Sequence, residues 1–149
     1  MTAPSPRILL NLLMGKDKSR RDPEYRLILT PCLYEREQAY KTRIAIETVK
    51  QFASFQYDLA VEDHATPAKI HFRILGLRTP KLSLPASGPA RFQKEYDVPG
   101  RTVEIAVEGL DKIVHLLTVG VSPKEIRIIK QPADNPVEIV VNKFSTIVS

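Results

Sequence analysis

Apolar and polar residues alternate one for one in several short stretches of this 149-residue chain. The clearest case runs from Lys69 to Ile74, where Ile70, Phe72 and Ile74 interleave with Lys69, His71 and Arg73. Successive side chains of a strand point to opposite faces, so the pattern predicts a strand with an apolar inner face and a basic, wet outer one. Gly76 follows, then Leu77-Arg78-Thr79-Pro80, and a glycine near a strand end predicts a bulge or bend before the chain leaves the sheet near Leu77. Beyond it Pro80, Pro85, Pro89 and Gly88 restrict the backbone or remove ladder donors. Residues 81–85 are therefore at best a short edge strand, inside a connection that is either an exposed loop or a sheet crossover.

The same reading along the chain predicts strands from Glu24 to about Leu33, edge-like because of Pro31; over Phe55–Val61; over Val103–Val107; a largely buried one over Ile113–Val121; and over Glu125–Lys130 and Val137–Val141 before a tail FSTIVS. A weaker element holds Phe92 and Tyr96 and stops at Pro99-Gly100. The 55–61 strand should form a hairpin with the strand that opens at Lys69, and 103–107 one with 113–121 across Gly109-Leu-Asp. Residues 35–52 are ambiguous, because Glu35-Arg-Glu-Gln-Ala are helix formers while Thr42–Val49 is β-branched. Ile44, Ile46 and Thr48 alternate as in a strand, so a turn at 35–39 and a strand from Tyr40 to Lys50 are expected, with one helix near 35–52 as the alternative.

Eight or nine strands between proline, glycine, asparagine and aspartate turns predict a mainly β fold, an antiparallel β-sandwich, with a small β-barrel as the alternative. Twelve prolines, and apolar residues dominated by Ile, Val and Leu, point the same way. The length suits a single domain over 24–149, with residues 1–23 a flexible N-terminal segment holding a short first strand or helix around Arg7–Met14. That segment is followed at once by Lys16, Lys18, Arg20 and Arg21 with no small-residue cleavage site, so no secretion signal is expected, and no apolar run is long enough for a spanning helix. The single cysteine, Cys32, lies in an apolar run and reads as a buried thiol; without a disulfide framework, a soluble cytoplasmic protein is the expectation.

Catalytic and cofactor chemistry finds little support. Three histidines, His64, His71 and His115, show no metal-ligand spacing, no phosphate-binding glycine motif occurs, and no nucleophile elbow is present. The acid pairs Glu35/Glu37 and Glu104/Glu108 read as solvated or cross-strand partners. No cofactor or metal is expected, and an enzyme is the third choice of function.

The one charge feature that stands out is His64 to Lys94, which contains no acid but six cations, Lys69, Arg73, Arg78, Lys81, Arg91 and Lys94. The net charge is +5, spread over both halves, so no basic arm exists. Lys69, His71, Arg73, Arg78, Lys81 and Arg91 are the candidate anion- or partner-binding residues; they suit phosphates or an acidic protein surface, but no aromatic shares their face to stack bases. If 101–108 is the neighbouring strand, Glu104 and Glu108 fall on the same side as Lys69 and Arg73 and neutralise them. The expected function is a non-catalytic domain acting through protein–protein interaction, with an unidentified protein or a second copy as partner; polyanion or nucleic-acid binding is the alternative, and no membrane is involved.

Overall fold

The computed structural model describes residues 23–53, 57–79, 88–98, 100–131 and 137–148. The predicted first element at 7–14, the 81–85 segment and the turn residues 132–136 lie outside them. The described residues form ten strands: β1 Tyr25–Tyr34, β2 Ala39–Thr48, β3 Asp58–Ala65, β4 Lys69–Arg78, β5 Arg91–Asp97, β6 Thr102–Glu108, β7 Val114–Val121, β8 Ile126–Lys130, β9 Val137–Val141 and β10 Ser145–Ile147. The fold is mainly β, as the alternation predicts, and no helix occurs among the described residues. All ten strands belong to one sheet in the order β10-β1-β2-β5-β3-β4-β6-β7-β8, with β9 also on β1, and this sheet curls into a nearly closed barrel. The small barrel is thus the form that fits, in place of two separate stacked sheets.

Residues 35–52 take the strand reading. Glu35–Gln38 forms a turn, closed by the Gln38 amide and side chain on the Glu35 carbonyl (3.2 and 2.7 Å), with Gln38 at φ 53. Gln38 resolves the conflict between the two halves: its left-handed backbone reverses the chain before a helix can propagate, and the β-branched half pairs in full register with β1. The expected bulge forms as well. Ala60 opposes Gly76 but Val61 opposes Ile74, leaving Leu75 as the extra residue of β4, and Gly76 sits at φ 137.

Three features depart from expectation. Four ladders are parallel (β1–β9, β1–β10, β3–β5 and β4–β6), so the sheet is mixed. The cause is a crossover: the connection after β4 carries the chain past β3, and β5 inserts between β2 and β3. β6 then lies beside β4, three strand positions from β5, or about 14 Å at the usual strand spacing.

β1 is paired on both sides despite Pro31. Leu29 and Pro31 are two residues apart and share an edge of β1, where Leu29 accepts from Asn142. Pro31 has no amide to offer there, and the neighbouring strand breaks at that point: β9 ends opposite Leu29 and β10 resumes opposite Cys32. β10 itself comes from the predicted tail.

β7, expected to be largely buried, is amphipathic. Leu117, Val119 and Val121 lie in the core while Val114 and Leu116 are exposed, because nothing packs on the outer face of the barrel there.

Inward residues from every layer form one core, with Leu27, Leu29, Ile44, Ile46, Phe72 and Ile105 among the most buried. Phe72 meets Phe92 and Tyr96 edge-on at ring separations of 5.9 and 6.0 Å, tying β4 to β5 across β3. Cys32 is buried and reduced, donating to the Thr30 carbonyl at 3.6 Å; burial pushes its thiol up from the ordinary range.

Candidate functional site

β4 presents Lys69, His71 and Arg73 outward, as the alternation requires, and each meets a carboxylate. β6 lies parallel beside β4 with Lys69 opposite Glu104 and Arg73 opposite Glu108. Lys69 Nζ is 3.6 Å from Glu104, and Arg73 turns instead to Glu62 on β3 at 3.7 Å. His71 Nε2 lies 3.2 Å from Glu108 without the geometry of a hydrogen bond. The neighbouring-strand condition is therefore met, and charge alternates across the face.

The remaining candidates do not join them. Arg78 ends β4 opposite Asp58, roughly 30 Å from Lys69 by strand rise, and makes no ion pair among the described residues. Arg91 opens β5 and donates to Glu47 at 2.7 Å and to Gln93 at 2.7 Å. Glu47 is only 8% exposed, and it continues a row of register partners, Glu138 on β9, Arg26 on β1, Glu47 on β2 and Arg91 on β5. Lys81 lies outside the described residues. Lys94 reaches Asp63 at 3.0 Å. No group of His, Cys, Asp or Glu among the described residues is arranged to hold a metal, and no described helix is long and apolar enough to cross a membrane.

A different feature of the barrel is unfinished. Among the described residues β8 is hydrogen-bonded to β7 alone, while β9 and β10 lie end to end along β1. The sheet therefore has two free edges that face each other across a seam. They approach at one end, where Lys124, just before β8, holds its ammonium 5.6 Å over the ring of Phe144 between β9 and β10.

No protein-family model, curated protein or solved structure matches the chain.

What the seam can do is thus read from its own residues. Ile128 of β8 opposes Val119, and Val141 of β9 opposes Leu29; both partners are fully buried. Residues directly opposite in a ladder share a face, so Ile128 and Val141 belong to the inward series. Yet they are 37% and 36% exposed, and no further strand among the described residues covers them. Sequence periodicity places these residues in the apolar series but carries no sign that a neighbour is missing. That depends on strand order, which periodicity does not encode.

Proposed function

We propose that this is a non-catalytic domain that works through protein–protein interaction, receiving an extended segment of a partner polypeptide at the open seam between β8 and β9–β10. The observation that carries the reading is the partial exposure of Ile128 and Val141, two residues whose register belongs to the core. An added strand would use the unpaired backbone edge of β8 and cover both side chains, with affinity from main-chain hydrogen bonds and selectivity from alternate apolar side chains. The exposed Ile129 on the same strand extends the apolar contact. The pairing of Lys69, His71, Arg73 and Arg91 with carboxylates favours this reading over polyanion binding.

The test is to measure the mass of the native-source complex by light scattering after affinity capture, with wild type and with Ile128→Lys/Val141→Lys. Wild type should run well above the 16.8 kDa of one chain and the variant should not. A strict monomer with nothing retained, or a complex indifferent to both substitutions, would overturn the reading. Titration with labelled DNA, RNA and heparin across salt examines the polyanion alternative, for which a steep negative salt slope is the signature.

A further inference from the structure

One end of the barrel holds a cavity of about 410 Å³. It is lined by Thr66 and Pro67, between β3 and β4, by Val98 and Arg101, between β5 and β6, and by apolar side chains of β1, β2, β4, β6, β7 and β8. The volume lies within the usual range for small-molecule sites. Ile44, Ile70, Ile105, Val119 and Val121 supply the inner wall.

The lining also holds Thr66, Tyr96 and Asp97, and two further polar groups in it bear on what the cavity could hold. Thr42 is 5% exposed, and its Oγ1 is buried with no hydrogen bond to it. A buried hydroxyl left unpaired is unfavourable, so its presence in a cavity wall calls for an explanation. Thr42 opposes Tyr96, one residue from the end of β5, which places it at the level of the mouth. The second group is Arg101. Val103, Ile105 and Val107 are the inward series of β6, and Arg101 continues that series by one step of two; the Val121 amide donates to its carbonyl at 3.0 Å, so the backbone there is still strand-like. Its guanidinium makes no ion pair among the described residues.

Two carboxylates also stand near the mouth, Asp63 and Asp97. Asp63 is held by Tyr96 at 2.7 Å and Lys94 at 3.0 Å. Asp97, opposite Lys41 on β2, lines the cavity beside Arg101 and makes no ion pair among the described residues. Arg101 is the cation among the described lining residues, and no described anion lies within ion-pair distance of it.

We propose that this cavity binds a small monocarboxylate with a hydrocarbon body, the chain in the apolar wall and the carboxylate at the mouth, where Arg101 supplies the charge and Thr42 donates a hydrogen bond. An arginine fork suits a carboxylate in geometry, and the ligand oxygen satisfies a hydroxyl that the fold leaves unpaired.

Calorimetric titration of the full chain with decanoate, decanol and acetate separates the parts of this ligand. Decanoate should bind saturably at one site, decanol more weakly, and acetate not measurably. Arg101→Gln, at an exposed position, should weaken decanoate by about tenfold and leave decanol unchanged. Thr42→Val keeps the shape of the side chain and should weaken decanoate while raising the thermal midpoint of the ligand-free protein, since it removes the unpaired hydroxyl. Absence of saturable decanoate binding, equal affinity for decanoate and decanol, or decanoate affinity unchanged in both variants would each overturn the proposal.

Discussion

Tyr96 on β5 donates its phenolic hydrogen to Asp63 Oδ2 on β3 at 2.7 Å. This bond closes the weakest junction of the sheet, because β3 and β5 share a single backbone pairing, Asp58 with Arg91, at their other end. Between the two points the strands are joined by side chains, and Lys94 adds a 3.0 Å ion pair to the same carboxylate oxygen.

The junction should make stability depend on pH at both extremes. Burial, followed by the bond to Asp63, holds the Tyr96 phenol well above its ordinary 10.0. A raised acidic group contributes stability that is complete below its unfolded value and is lost as pH climbs through the folded one. Asp63 behaves in the opposite sense: burial alone would raise its carboxyl, but the hydrogen bonds from Tyr96 and Lys94 bring it below the ordinary 3.8, so its contribution is lost as pH falls through that lowered value. Urea unfolding across pH should show a shallower alkaline limb for Tyr96→Phe and a shallower acid limb for Asp63→Asn. Limbs that superimpose on wild type would contradict the assignment.

Gly76 is held at φ 137 by the bulge in β4, and a Cβ built there meets nothing within 4 Å. The substitution Gly76→Ala therefore tests backbone strain without a clash. It should destabilise the protein by about 1–3 kcal/mol in denaturant unfolding. A neutral result would mean that β4 can shed the bulge at no cost.

Asn142 bridges the gap that Pro31 imposes on the last strand. Its amide donates to Leu29, and its side chain donates to Thr30 Oγ1 at 3.0 Å. Asn142→Ala should cost about 1 kcal/mol and lower hydrogen-exchange protection at β10, with β1–β2 amides unaffected. Loss of protection throughout the sheet would show instead that β9 and β10 do not open as a local unit.

Lys69 and Glu104 form an exposed pair at 3.6 Å, each about half accessible. A double-mutant cycle with Lys69→Ala and Glu104→Ala should give a coupling below about 1 kcal/mol that shrinks further in salt. Coupling that is large and insensitive to salt would point to a more specific use of this face.

The basic face was legible because it is local: alternation alone put Lys69, His71 and Arg73 on one side of a strand, and the spacing of Glu104 and Glu108 matched them if β6 came alongside. What alternation could not supply was the neighbour of each strand. Whether Arg73 meets Glu108 or Glu62 depends on β4 lying between β3 and β6, and the structure gives it Glu62. Arg78 and Arg91 were grouped with the others by sequence proximity, yet β5 crosses over and takes Arg91 to Glu47 of β2.

By itself, then, the sequence determined most of the strands, β10 excepted, the turn at Gly109, the bulge at Gly76 and the apolar side of most elements, since these follow from the conformational preferences of a few adjacent residues. It left residues 35–52 open between strand and helix. The tertiary structure alone decided that β5 inserts between β2 and β3, that the barrel stays open between β8 and β9, and that Asp63 meets Tyr96. Those outcomes rest on pairings between residues far apart in the chain, where one apolar face can cover another in several orders and only the joint packing of the whole core selects among them.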